Sequence, residues 1–166
     1  GQTFAVAPER MIRLLRTAGF ETRSWDREAA NSLLWGKLCV NCGINALTGL
    51  LLVENGKLLE INGVRDIMVA ATEECARVAR AKGIDLPYRN PAARVLDVAR
   101  STAGNKSSMY QDILRGTPTE CEAIYGSVVR EAKVQGVDTP VNRILWAGIS
   151  ALVKRNGEKG ENADRE

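Results

Sequence analysis

The side chains best suited to chemistry follow one another along a mainly apolar stretch. Within residues 38–53 the polar side chains are Asn41, Asn45 and Thr48, and Lys37 directly precedes this stretch. Helical geometry places these four residues along one stripe of an α-helix. Because the remaining side chains of residues 38–53 are apolar, we expect protein to surround this part of the helix. Such a stripe predicts that something polar docks against the helix.

The same stripe also has a purely structural interpretation. The amides of Asn41 and Asn45 could bridge neighbouring helices, while the Lys37 amine reaches water along its aliphatic stem. Buried polar groups are normally satisfied within the protein. Periodicity alone therefore leaves both interpretations open.

Four cysteines and the absence of histidine restrict the chemistry further. Without imidazole, proton transfer must use Lys, Asp, Glu, Cys or Tyr. Cys39 and Cys42 form a Cys-x-x-Cys pair within the predicted helix, but no second pair has zinc-site spacing. We interpret both as small packing residues and predict no metal site. The cysteine spacing matches no disulfide scaffold, which predicts a reducing compartment, the cytoplasm.

A second polar cluster spans residues 107–120. Ser108 lies at the head of a short predicted helix, where free N–H groups favour anions, so it could hold a carboxylate. Capping the helix is the commoner use of serine at such a position. Glu120 follows Thr119 and would ordinarily complement the dipole of the next helix. Neither residue decides between the alternatives by itself.

The composition of the 166 residues is that of a globular domain with an aliphatic core. Hydrophobic residues make up 45% and aromatic residues only 5%, which favours helices over a β-sandwich. The net charge is +3 and basic residues are mixed with acidic ones, so we predict no nucleic-acid partner. No apolar run reaches the roughly 20 residues that cross a bilayer, and no signal segment is evident, so we predict no membrane association.

Helical spacing and end signals divide the chain into segments. The predictions are a helix from Pro8 to Gly19, a short strand over residues 20–24, and helices over 27–53, 65–82, 92–102, 105–115, 119–135 and 139–153. One helix and one strand cannot bury themselves, so residues 1–25 are expected to be the end of an α/β domain. Residues 26–153 are predicted to form a compact all-α bundle, and 154–166 a polar C-terminal tail.

Read together, these segments resemble the C-terminal domain of ketopantoate reductase (2-dehydropantoate 2-reductase). The resemblance covers about Asp26 to Val153. Lys-x3-Asn alone is shared with the wider β-hydroxyacid dehydrogenases, whereas the ordered series of motifs is specific. The series consists of Trp35-x-Lys37-x3-Asn41-x3-Asn45-Ala46-Leu47-Thr48, Asn55-Gly56, Ser107-Ser108-Met109-x-Gln111-Asp112, Gly116-x-Pro118-Thr119-Glu120, Gly126-x-Val128-Val129 and Gly136-Val137-x-Thr139-Pro140-Val141-Asn142.

The resemblance implies a fold like the C-terminal domain of 6-phosphogluconate dehydrogenase, preceded by a helix–strand remnant of a Rossmann domain. It implies that Lys37 is the proton donor to the carbonyl of ketopantoate, in a cleft shared with Ser108 and Glu120. The implied substrate-binding residues are Asn41, Asn45, Asn55 and Ser108, with main chain from Met109 and Tyr110 through Gln111. Glu120 matches an acidic residue near the cofactor.

The main departure from the family concerns the cofactor NADPH, which the family binds chiefly through a glycine-rich turn in an N-terminal Rossmann domain. No Gly-x-Gly-x-x-Gly is present, so we expect that domain to be missing and the isolated chain to be inactive. The alternatives are a related two-domain 2-hydroxyacid or β-hydroxyacid dehydrogenase and a non-catalytic helical dimerisation module. Apolar surface left by the missing domain could also support a homodimer.

Overall fold

The helical periodicity of the sequence is realised as an all-α structure. The computed structural model describes residues 8–22 and 24–163. Within this part of the chain there are seven α-helices: α1 (Pro8–Thr17), α2 (Arg27–Leu51), α3 (Val64–Ala81), α4 (Pro91–Ser101), α5 (Ser108–Arg115), α6 (Ser127–Gln135) and α7 (Pro140–Ala163). A 3₁₀ turn (Asn55–Leu59) follows α2, and a π-helical turn (Glu122–Gly126) leads directly into α6.

Helix α2 is the central element of the bundle. Its 25 residues begin after Asp26, whose carboxylate accepts a hydrogen bond from the Ala29 N–H at 2.7 Å. It ends at Leu52, which adopts a left-handed conformation with φ of 53°. Residues 42–49 are all buried, and α2 packs against α3, α4, α5 and α7. The prediction that protein surrounds this helix is confirmed for that segment.

The close approach of α2 to α3 depends on Gly43. A Cβ at this position would overlap the Thr72 hydroxyl and would lie 2.9 Å from the Met68 carbonyl oxygen. Glycine therefore lets the two backbones come together where a larger residue would separate them.

A buried carboxylate joins α3 to α7. Glu74, only 3% exposed, accepts hydrogen bonds from the Val141 and Asn142 N–H groups, each at 2.9 Å. The Asn142 amide also donates to Glu74 at 2.7 Å. Free N–H groups at a helix start favour a negative charge, so Glu74 caps α7 from another helix.

Two local predictions differ from the structure. The predicted strand over residues 20–24 is absent at residues 20–22 and 24, which are irregular, and Arg23 lies outside the described residues. A lone strand has no neighbour with which to pair its backbone groups. The last helix was predicted to end at Val153, yet it continues to Ala163. No proline interrupts residues 154–163, which is compatible with a helix that continues through this polar segment.

Among the described residues, no helix is both long and apolar enough to cross a membrane.

Candidate functional site

An open groove between α2 and α4 contains the first two residues of the polar stripe. Its volume is about 540 Å³, and its floor and walls include Lys37 and Asn41 from α2. Lys37 is exposed and Asn41 is half-buried. The groove is completed by residues from α2, the segment before α4, and α4 itself: Leu33, Gly36, Val40, Pro87, Tyr88, Arg94 and Val98.

The segment before α4 is held against α2 beside Lys37. The Tyr88 hydroxyl donates a hydrogen bond to the Gly36 carbonyl oxygen at 2.7 Å. A Cβ at Gly36 would come within 2.7 Å of the Pro87 ring, so glycine permits this contact. The segment that carries Pro87 and Tyr88 is therefore anchored on the helix that carries the lysine.

The groove has a positive character. Lys37 and Arg94 both line it, and none of the described lining residues carries a carboxylate. Two cations at a concave surface favour an anionic ligand. Sequence reasoning did not identify Arg94, because nothing in the sequence indicates that α4 packs beside α2.

The second half of the stripe is buried. Asn45 is 7% exposed, and Thr48 is fully buried. The Thr48 hydroxyl lies 3.0 Å from the carbonyl oxygens of Ile44 and Asn45, and 2.7 Å from the Ser107 hydroxyl. For Thr48 the structural interpretation holds, because its hydroxyl is satisfied within the protein and links α2 to α5.

Asn55 lies in the 3₁₀ turn, next to the loop between α4 and α5. Its backbone N–H donates to the Asn105 carbonyl oxygen at 3.0 Å, and its amide nitrogen donates to the Thr102 hydroxyl at 2.9 Å. The amide oxygen is buried and has no hydrogen-bond partner among the described residues. A buried carbonyl without a partner is unfavourable, so this oxygen is suited to a ligand donor.

At the start of α5, Ser107 rather than Ser108 caps the helix. The Ser107 hydroxyl accepts a hydrogen bond from the Tyr110 N–H at 3.1 Å. Ser108 is the first helical residue and is exposed. Capping therefore does not occupy Ser108, which keeps the predicted carboxylate contact open.

The next three residues of α5 differ in environment. Met109 and Tyr110 are buried, at 1% and 9% exposure, which leaves little of either side chain for contact with a substrate. The Gln111 amide donates to the Lys106 carbonyl oxygen at 3.0 Å. Tyr110 and Gln111 line a separate depression of about 640 Å³ that also includes Lys106 and Arg115.

Glu120 is exposed, and its carbonyl oxygen accepts the Ile124 N–H at 2.9 Å in the turn that precedes α6. Neither Ser108 nor Glu120 lines the groove that holds Lys37. The structure thus brings Lys37 and Asn41 together directly. The convergence of Ser108 and Glu120 on this lysine stays a prediction.

The Cys-x-x-Cys pair belongs to the core. Cys39, Cys42 and Cys75 are all fully buried, and the Cys39 and Cys75 sulfur atoms are 3.2 Å apart as free thiols. Their hydrogen bond, together with burial, raises the pKa of Cys39 well above its ordinary range. These thiols pack α2 against α3, which agrees with the interpretation of Cys39 and Cys42 as packing residues.

The fold is a helical domain built around one central helix, with an open groove beside Lys37. The family model for the C-terminal domain of ketopantoate reductase, PanE/ApbA, matches residues 30–153. The chain therefore belongs to the ketopantoate reductase C-terminal domain family, which confirms the resemblance and the all-α fold that it implies.

Individual relatives agree with this assignment. The 2-dehydropantoate 2-reductase of Halobacterium salinarum is 38% identical over 141 residues, which are 85% of this chain and 45% of that protein. The enzyme of the same name from Pyrobaculum aerophilum is 40% identical over 117 residues, covering 70% of this chain and 42% of that protein. The chain thus spans less than half the length of these curated relatives.

Solved structures show the same partial correspondence. A PanE/ApbA-family ketopantoate reductase from Ralstonia eutropha matches with a TM-score of 0.79 and 32% identity, over 90% of this chain and 49% of that one. A D-mandelate dehydrogenase in complex with NADH also has a TM-score of 0.79, at 25% identity, over 93% of this chain and 52% of that one. The fold is therefore shared with enzymes of more than one name.

Proposed function

We propose that this chain is the substrate-binding and proton-donating domain of an NADPH-dependent 2-dehydropantoate 2-reductase, which reduces ketopantoate to pantoate. The observation that carries the proposal is the open cationic groove in which Lys37 and Asn41 lie together. The family supplies the reaction class, and the groove supplies a site for a small keto acid.

The nicotinamide cofactor is assigned to another part of the protein. This chain has no Gly-x-Gly-x-x-Gly turn, and its relatives are about twice as long as the segment that they share with it. The groove is open, which fits a site completed by a second domain. Glu120 is exposed and free to face that domain. When bound, the cofactor supplies a hydride to the ketone carbon.

In this proposal Lys37 acts on the ketone oxygen. Negative charge develops on that oxygen as the carbonyl is reduced, and a nearby ammonium group stabilises it. Lys37 then transfers its proton to the oxygen to give the hydroxyl of pantoate, and regains a proton from water.

The remaining site residues hold and orient the substrate. The amides of Asn41, Asn45 and Asn55 orient its oxygen atoms, with the unpartnered Asn55 carbonyl suited to a substrate hydroxyl. Ser108 and the start of α5 hold the carboxylate, which the free N–H groups of a helix start favour. Arg94, which also lines the groove, adds a second positive charge.

The test is steady-state kinetics of the full-length polypeptide whose reading frame contains this chain. Lys37→Ala is expected to lower kcat by about 10²–10⁴-fold, because it removes the general acid. Lys133→Ala on α6 is the matched control, since Lys133 is exposed and lies outside the groove. A Lys37→Ala enzyme that turns over within a few-fold of wild type, about three-fold or less, would remove Lys37 from this role.

The same assay separates the proposed substrate from its nearest alternative. The structural likeness to D-mandelate dehydrogenase favours a related 2-hydroxyacid dehydrogenase as the second candidate. A complete protein that prefers other 2-keto acids to ketopantoate would support that candidate. Cofactor preference is read in the same experiment by comparing NADPH with NADH. The isolated chain is expected to show negligible turnover with either cofactor.

A purely structural dimerisation module is not favoured. That alternative requires the polar stripe to be sealed within the bundle, whereas Lys37 is exposed and lines an open groove. Self-association of the chain stays a prediction, as does its location in the cytoplasm. The four free cysteines fit a reducing compartment.

A further inference from the structure

A tyrosine outside the predicted site makes a direct contact with the backbone of α2. The Tyr125 side chain is fully buried, and its hydroxyl oxygen accepts a hydrogen bond from the Ala46 N–H at 2.8 Å. The same hydroxyl lies 3.0 Å from the Cys42 carbonyl oxygen and 3.2 Å from that of Asn41, to which it can donate its proton. One phenol therefore meets a backbone donor and backbone acceptors in the middle of the helix.

This contact falls on a single step of the helical hydrogen-bond pattern. In an α-helix the N–H of residue 46 ordinarily donates to the carbonyl of residue 42. The Tyr125 hydroxyl contacts both groups, so it bridges the two ends of this step. A side chain inserted into the hydrogen-bond ladder is a recognised cause of local helix bending. Burial raises the pKa of Tyr125, so the neutral hydroxyl that can both donate and accept is the stable form.

The position of the Tyr125 hydroxyl matters because its contacts with α2 fall between the two halves of the polar stripe. Lys37 and Asn41 precede the step, and Asn45 lies at its far end, one residue before Ala46. Any change in helix geometry at this step changes the directions in which the Lys37 and Asn41 side chains point relative to that of Asn45. Proximity effects in catalysis depend on such relative directions.

The tyrosine is delivered to α2 by an unusual element. Tyr125 lies in the π-helical turn Glu122–Gly126, which packs against α2 and α7. π-helical turns are rare and occur frequently at functional sites. On another side of α2, Gly43 closes directly onto α3. The helix is thus held from two sides at the centre of the stripe.

We propose that Tyr125 is a positioning residue, whose hydroxyl sets the geometry of α2 between Asn41 and Asn45 and thereby aligns the two halves of the substrate site. This inference rests on the proposed function, since it assigns the aligned residues to substrate. Tyr125 itself is not expected to touch the substrate.

The test is Tyr125→Phe in the full-length polypeptide, which removes the hydroxyl and keeps the ring. We expect kcat/KM for ketopantoate to fall by about 10–100-fold, because misplaced substrate-binding groups orient the substrate less well. The KM for NADPH should stay near the wild-type value, because the cofactor is assigned to the other domain. Val128→Ala on α6 is the matched control, since Val128 is fully buried but absent from the stripe. It should lower the melting temperature and leave kcat/KM unchanged.

A second measurement separates this inference from the proposed function. Crystal structures of wild type and Tyr125→Phe in one crystal form should show Lys37 and Asn41 displaced relative to Asn45. If the wild-type polypeptide reduces ketopantoate, unchanged kinetics in Tyr125→Phe overturn the positioning role. If it does not, the proposed function fails. In that case the crystal structures still test the role of Tyr125, and an unaltered α2 in Tyr125→Phe overturns that role as well.

Discussion

Two residues of one stripe, Lys37 and Thr48, have different roles although their spacing is equally regular. Lys37 lies in an open groove, whereas the Thr48 hydroxyl is fully buried and bonded to Ser107. The difference arises from what packs beside each turn of α2. Since Ser107 also caps α5, Thr48 connects the central helix to the helix that carries Ser108.

At this scale we predict that Thr48→Val destabilises the fold by about 1–2 kcal/mol, because the buried Ser107 hydroxyl loses its hydrogen bond with the Thr48 hydroxyl. Chemical denaturation of the chain measures the change. Thr117→Val is the matched control, because Thr117 is exposed and its loss should change stability by about 0.5 kcal/mol or less. Equal stability of the two variants would show that the Thr48–Ser107 contact contributes nothing.

At the scale of elements, the bundle depends on how closely α2 and α3 approach. Gly43 faces Thr72 and the Met68 carbonyl without room for a methyl group. The buried residues Cys39, Cys42 and Cys75 fill the same interface with small side chains. Small residues on both helices let the backbones pack tightly, and interiors at this density tolerate little added volume.

The corresponding prediction contrasts two identical substitutions. Gly43→Ala should destabilise the fold by about 1–3 kcal/mol, because the added methyl group overpacks the α2–α3 contact. Gly157→Ala on α7 should instead stabilise it by about 0.5–1 kcal/mol, because alanine is the better helix former. Nothing lies near a Cβ at Gly157. Thermal or urea unfolding measures the sign of both stability changes. A stabilising Gly43→Ala would contradict the close approach of α2 to α3.

At the scale of the whole molecule, several weak acids are buried in neutral form. The hydrogen bond to Cys75 and then burial raise the pKa of Cys39. For Cys75 the hydrogen bond to Cys39 lowers the pKa, but the one to Cys42 and burial outweigh it and raise the pKa. Burial likewise raises the pKa of Tyr125 and Cys121. The folded state therefore keeps protons that the unfolded chain releases in alkali.

This imbalance predicts a loss of stability at high pH. Below the ordinary thiol pKa of 9.0, both the folded and the unfolded chain keep the thiol proton, so the folded state has its full stability. Above it the unfolded chain ionises first, and stability falls by about 1.4 kcal/mol per pH unit for each such thiol. Urea unfolding between about pH 7 and pH 10.5 measures the slope. Cys39→Ala together with Cys75→Ala should flatten it, and an equally steep slope in that double variant would contradict the assignment.

Much of the helical layout was predictable because its signals are local. Asp26 and Asn90 cap α2 and α4, and Gly136 follows α6 in a left-handed conformation, as helix starts and ends require. The two clear errors concern interactions beyond the local sequence. A strand over residues 20–24 needs a partner strand, and the end of α7 depends on how far a polar helix propagates.

For the candidate site, the sequence by itself determined that Lys37, Asn41, Asn45 and Thr48 share one helical stripe, because the period of a helix is a local property. Only the tertiary structure decided which of them meets a groove. It also brought in Arg94, Tyr88 and Tyr125, which lie about 50–80 residues away along the chain from their α2 neighbours. Packing between distant segments follows from the shapes of whole helix faces, which periodicity along one segment does not contain.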